Sequence, residues 1–162
     1  MVLGLNMMQF IYLHAFFSVI GLGAGLFVVI GFVSSKNFSI LTSAFLVTTF
    51  LTSLTGFLFP WHGFSPGIIL GILSVIALAL AIFGIYVKKL AGPWRAVYVV
   101  SACVALYFNF FVLVAQGFDK IHLLHTIAPT QLSPGFAITQ LILLVIFILL
   151  TTRAVRDFHP AA

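Results

Sequence analysis

The residues best suited to bind a cofactor are histidines near the ends of apolar segments. Neutral imidazole is a common ligand for zinc, copper and haem iron. His14, His62 and His125 come from three separate stretches of the chain, as a site assembled by folding requires. His122 and Asp119 lie near the last of these, and either one is a candidate for a further ligand or an orienting group. We therefore predict a metal site among these five residues.

Haem, a metal ion and a quinone are the candidate ligands. Bis-histidine haem needs two histidines at matching depth, and His14 and His62 are candidates because both lie near the outer boundary, although neither is deeply embedded. A quinone needs hydrogen-bonding side chains within aromatic walls, and Asn109 adds an amide to the imidazoles. The predicted cofactor-binding residues are His14, His62, Asn109 and His125. A simpler alternative stays open, because polar side chains often lie in the headgroup region without binding anything.

Catalytic patterns are missing from the sequence, and we predict no catalytic residue. Asp119 and Asp157 are its two acidic residues, which excludes paired glutamates and a di-iron carboxylate centre. Cys103 is its single cysteine, so an intrachain disulfide and a CxxC motif are excluded as well. No zinc-finger spacing, HExxH motif, P-loop or GxSxG motif occurs. A ligand-binding or accessory protein is therefore favoured over an enzyme.

The composition is that of a protein embedded in lipid. Of its 162 residues 63% are hydrophobic and 6% are charged, whereas soluble domains average about 45–50% and 25%. A small soluble domain has too much surface to bury so many apolar side chains. The sequence therefore predicts an all-α integral membrane protein.

Five apolar stretches are long enough to cross a bilayer as helices. A crossing takes about 20 residues, and the predicted spans are 9–33, 40–59, 67–87, 94–118 and 136–152. Pro66, Pro93 and Pro134 lie at or just before helix starts, where proline is tolerated. Residues 1–162 are predicted to form a single transmembrane helical domain.

The basic residues predict the orientation. With five spans, one side holds six Lys or Arg residues and the other holds Lys120 alone. Because cytoplasmic loops are enriched in Lys and Arg, we expect the C-terminus in the cytoplasm and the N-terminus outside. This placement also explains the net charge of +5 without nucleic acid as a partner. The first segment, MVLGLNMMQF, has no basic residue, so we expect the first span to be retained rather than cleaved.

Polar side chains are concentrated in the outer half of this arrangement. Asn109 is the most deeply placed, and we expect it to bond to Thr52 or Thr55 on the second helix. The fourth loop is long, and its segment from Asp119 to His125 is predicted to form a short helix on the membrane surface. Together these residues predict a polar site open to the outside.

Small residues follow one face of the third helix. Such stripes let helix backbones approach closely in lipid. Packing within the chain is the first interpretation, and self-association or docking on another membrane protein is the second. The stripe consists of Gly67, Gly71, Ser74, Ala81 and Gly84.

Four segments resemble those of a family of small polytopic bacterial membrane proteins that has no assigned activity. They are FPWHGFSP (59–66), LAGPWRAVYV (90–99), YFNFFVLVAQGF (107–118) and LHTIAPTQLSP (124–134). The resemblance implies a multi-pass protein of the bacterial inner membrane. Our functional expectation rests on the residues: an outward-facing histidine site for haem, metal or quinone beside a redox complex. The alternative is an accessory subunit of a membrane complex without a ligand of its own.

Overall fold

The computed structural model describes residues 2, 4–60 and 66–160, and this part of the chain is helical apart from turns and one isolated β-bridge. Within it, five helices are long and apolar enough to cross a membrane, which confirms the predicted number. They are α1 (Met7–Val33), α2 (Ser39–Phe57), α3 (Pro66–Ile82, continued by a π-helical turn, Phe83–Val87), α4 (Trp94–Lys120) and α6 (Pro134–Asp157). A short helix, α5 (His122–Ile127), lies between the last two.

Helix α4 is the centre of the bundle. It contacts α1, α2, α3 and α6, and α5 packs against its C-terminal part. Small side chains form the middle of its inward face, where Ala102, Cys103 and Ala105 are each at most 1% exposed. Since lipid does not drive helices together by the hydrophobic effect, close packing over small residues is what holds such a bundle.

The small-residue stripe of α3 packs inside the chain. Ser74 and Ala81 are buried. A Cβ atom on Gly71 would lie 2.7 Å from the Phe57 ring, and one on Gly84 would lie 3.2 Å from the Trp94 carbonyl oxygen. Gly67 is exposed. The stripe thus lets α2 and α4 approach α3, and a further role in self-association stays a prediction.

Helix α1 begins and ends with standard caps. Asn6 accepts a hydrogen bond from the Gln9 backbone N–H at 2.9 Å, and its own N–H donates to Gln9 Oε1 at 3.0 Å. This capping box occupies both polar side chains. At the other end Ser35 adopts a positive φ of 52°, and the N–H of Lys36 donates to the Gly31 carbonyl at 2.8 Å. These are the features of a Schellman motif.

Glycine at position 31 is required by this turn. A Cβ atom there would lie 2.7 Å from the Lys36 carbonyl oxygen, a backbone atom that cannot move without opening the turn. At Gly23, on the same helix, a Cβ atom would meet nothing within 4 Å. We expect Gly31→Ala to lower the free energy of unfolding by about 1–3 kcal/mol. Gly23→Ala serves as the control and should be neutral or slightly stabilising.

Unfolding of the two variants in mixed micelles of a mild detergent and SDS measures both effects, with loss of helical circular dichroism as the signal. Equal stability of the two alanine variants would contradict the steric argument.

The C-terminal end of α6 is fastened to the bundle. Phe158 follows the helix, is fully buried, and contacts the rings of Phe32 and Tyr98 at centroid distances of 4.8 and 6.1 Å. Arg95 of α4 donates from Nη1 to the carbonyls of Val155 and Phe158, at 2.8 and 2.6 Å. Carbonyls at the end of a helix receive no hydrogen bond from the helix itself. The guanidinium group donates to two of them and so caps the C-terminal end of α6.

Candidate functional site

His14 is held on α1 by a hydrogen bond to α2. Its Nδ1 lies 2.9 Å from Oγ1 of Thr55, and the imidazole is half-buried. The bond joins the N-terminal part of α1 to the C-terminal part of α2. It therefore establishes that these two polar ends lie together at one end of the bundle.

The hydrogen bonds of the Thr55 hydroxyl indicate which ring nitrogen of His14 has the proton. Thr55 Oγ1 lies 2.7 Å from the Leu51 carbonyl and 3.1 Å from the Thr52 carbonyl. A hydroxyl has one hydrogen, and a carbonyl can only accept it. With its hydrogen donated to one of these carbonyls, Thr55 accepts the proton of His14 Nδ1, and the tautomer is assigned from this hydrogen-bond network. In the neutral imidazole Nε2 keeps its lone pair, and among the described residues nothing bonds to it.

Aromatic rings and one cation surround the imidazole. Phe59 packs edge-on against it at a centroid distance of 5.2 Å, and Phe10, which is fully buried, packs against Phe59 at 5.0 Å. The ammonium group of Lys120, at the end of α4, is close enough to His14 to interact with it electrostatically. The ring thus packs against an apolar wall and is within electrostatic range of the corner where α4 turns into α5.

A second polar cluster lies at that corner. Asp119 and His125 line a cavity of about 50 Å³, whose apolar wall includes Phe118 and Phe136. We expected Asp119, His122 and His125 to share one helix, and this is wrong. Helix α4 continues through Asp119 to Lys120, and the short helix begins only at His122. His122 is exposed and does not line the cavity.

The described residues do not by themselves form the predicted metal site. Among the described residues, no three His, Cys, Asp or Glu side chains come together as metal ligands. Asp119 and His125 share the cavity, and His14 is fixed by Thr55. His62 lies outside the described residues. The site formed by His14, His62, His122, His125 and Asp119 stays a prediction.

Asn109 finds a partner on the predicted helix but one or two turns away from the predicted positions. Its Nδ2 donates to Thr49 Oγ1 at 3.3 Å, and not to Thr52 or Thr55. Thr55 is taken by His14. Interhelical bonds of this kind contribute about 0.6 kcal/mol on average. The amide is thus used in packing α4 against α2, although ligand binding by Asn109 stays untested.

Thr55 is the residue whose role the sequence did not reveal. Its position in the outer part of α2 made it a plausible partner for Asn109, and His14 was considered only as a ligand. The signal that points to it is that both residues lie in the same predicted half of adjacent helices. The sequence also did not reveal the role of Gln140. Its Nε2 donates to the Phe111 carbonyl at 3.0 Å and so joins α6 to α4.

No family model matches the chain, and no curated protein and no solved structure proved similar to it.

Proposed function

We propose that this multi-pass membrane protein binds a redox ligand through Nε2 of His14 and works beside a redox complex. The observation behind this is the Thr55 bond, which holds the ring and leaves the Nε2 lone pair available. Metal-binding histidines commonly have this arrangement, with the other ring N–H donated to an oriented acceptor. Haem iron and a metal ion accept such a lone pair, and a quinol hydroxyl donates a hydrogen bond to it.

The surroundings of His14 favour a ligand that is partly apolar. Phe10 and Phe59 form a wall beside the ring, and ligand sites are mostly apolar with few polar groups. His125 and Asp119 line the cavity at the α4–α5 corner and are proposed as additional contacts. His122 and His62 remain candidates for a further metal ligand in the same proposal.

The test is the chemical content of the protein purified in mild detergent. We expect a haem absorption band, a bound metal by elemental analysis, or a co-purified quinone by extraction. His14→Gln should abolish the ligand, whereas His159→Gln, an exposed histidine beyond the other end of α6, should leave it unchanged. A wild-type protein without haem, metal or quinone, purified from cells supplied with iron, would refute the proposal.

For the orientation, we propose that the histidine end faces outward and the basic end faces the cytoplasm of a bacterial inner membrane. The native Cys103 is 1% exposed, so introduced cysteines can be labelled with little background. Gln131 and Lys89 are both exposed and lie toward opposite ends in this arrangement. In intact spheroplasts, a membrane-impermeant maleimide should label Gln131→Cys at once and Lys89→Cys only after lysis. The reverse pattern would show the opposite orientation.

An accessory subunit is the second candidate function, and the exposure of α6 supports it. Only 17% of its most apolar window is buried, compared with 39% for α1, α2 and α4. Such an exposed apolar face is covered either by lipid or by another membrane protein. Gentle extraction followed by mass analysis of intact complexes distinguishes the two, because an accessory subunit should retain a stoichiometric companion.

A further inference from the structure

A groove runs between α4 and α6, away from the histidine end. Its volume is about 460 Å³, far larger than the cavity at the α4–α5 corner. Helix α4 lines it from Val100 to Tyr107, and α6 lines it from Leu144 to Arg156. Leu144 and Arg156 are twelve positions apart, which corresponds to a length of about 18 Å at the rise of a helix.

The walls of the groove are apolar over most of this length. Val104, Phe147 and Ile148 line its sides, and Cys103 is at its floor. At one end the rings of Tyr107 and Phe147 bridge the two helices at a centroid distance of 5.6 Å. The groove length is close to half the thickness of a bilayer core, which is about 15 Å. One acyl chain of one leaflet therefore matches it in length and polarity.

The other end of the groove is basic and polar. Arg156 lines it together with Thr151 and Thr152, and the guanidinium group is exposed. Arg153, one turn away, is bonded to Asp157 at 2.9 Å. Within the described part of the chain no acidic group is bonded to Arg156. Its charge is therefore available to an anion outside the protein.

We infer that this groove binds an anionic phospholipid, with one acyl chain along α4 and α6 and the phosphate on Arg156. Arginine is well suited to phosphate because its planar guanidinium group donates two parallel hydrogen bonds. Basic pockets between membrane helices are known to hold anionic headgroups. The groove thus complements a phospholipid in both its charge and its apolar length.

Native mass spectrometry of the delipidated protein, titrated with phosphatidylglycerol or with phosphatidylcholine of the same acyl chains, tests this inference. We expect tighter binding of phosphatidylglycerol. Arg156→Gln should weaken its binding about tenfold, the effect of losing a charge-assisted bond. Arg153→Gln removes the same charge from the same helix and should change the affinity little.

Ile148→Phe narrows the groove on its exposed side and should weaken binding of both lipids. Its thermal unfolding, compared with that of the wild type, verifies that the variant is folded. Equal binding of the two lipids, or equal effects of Arg156→Gln and Arg153→Gln, would overturn the inference. A dimer cross-linked through Ile148→Cys would overturn it too, because a second copy would then occupy the groove.

Discussion

Phe158→Ala should lower the free energy of unfolding by about 3–5 kcal/mol, the usual cost of removing a buried phenylalanine ring. The side chain is fully buried and touches Phe32 of α1 and Tyr98 of α4. Its loss leaves a cavity among three helices. The cavity is destabilising because the side chains around it lose van der Waals contacts. This destabilisation is therefore expected in detergent as well as in lipid.

Two further contacts depend on this anchor. Arg95 donates to the carbonyl of Phe158, and the N–H of His159 donates to Ser35 Oγ at 2.9 Å. If Phe158 no longer holds the tail in place, both bonds lose their geometry. We therefore expect the variant to lose order at the C-terminal end of α6 before the rest of the bundle unfolds.

The control is Phe27→Ala, which removes the same ring from a position that is 55% exposed and faces away from the core. It should change the stability by less than about 1 kcal/mol. SDS titration followed by circular dichroism measures the stability, and limited proteolysis from the C-terminus reports on the tail. A Phe158→Ala protein as stable as Phe27→Ala would show that the anchor does not matter.

This anchor was not predictable from local sequence patterns. The fifth span was expected to end near residue 152, where the apolar stretch ends. The helix instead continues to Asp157, and an ion pair four residues apart, Arg153 with Asp157, supports the extra turn. Nothing in the spacing of Phe158 reveals that α1 and α4 form a pocket for it.

The helices themselves were predictable because the physics behind them is local. About 20 apolar residues must form a helix in lipid to satisfy their backbone groups. Pro66 and Pro134 are the first residues of α3 and α6. Side-chain partners depend instead on how each helix is rotated about its axis. They depend also on how far each helix is shifted along its axis, and the one-turn difference between Thr49 and Thr52 as partners of Asn109 is a shift of about 4.5 Å.

The rotation and axial position of the helices also decide the candidate site. Depth in the membrane placed His14, Thr55 and Asn109 in one predicted half, but it did not determine which of them pair. The structure pairs His14 with Thr55, and this pairing changes the role inferred for each residue. Thr55, which we assigned to helix packing from the sequence, is thus the group that selects the tautomer of His14.

Thr55→Val should therefore weaken ligand binding by about 10–100-fold, the range found when an orienting partner of a metal ligand is removed. Valine has a similar shape but cannot accept the proton of His14 Nδ1. The ring is then free to turn, or to move its proton to Nε2 and lose the lone pair that the ligand needs. Stability should fall much less, since one interhelical bond contributes about 0.6 kcal/mol on average.

Thr52→Val is the matched control. Thr52 lies one turn earlier on α2, is also buried, and bonds through its hydroxyl only to the Thr48 carbonyl of its own helix. Both variants therefore lose a bond within α2, but only Thr55→Val loses the contact with His14. Equal ligand affinity in the two variants would remove Thr55 from the site.

The tautomer can also be measured without any ligand. In protein labelled with ¹⁵N-histidine, the two ring nitrogens of a neutral imidazole give widely separated NMR signals according to which one is protonated. We expect His14, assigned through His14→Gln, to be protonated at Nδ1 in the wild type and in Thr52→Val. In Thr55→Val this preference should be lost. A wild-type ring protonated at Nε2 would mean that Thr55 donates to His14, and the lone pair on which the proposed site depends would be absent.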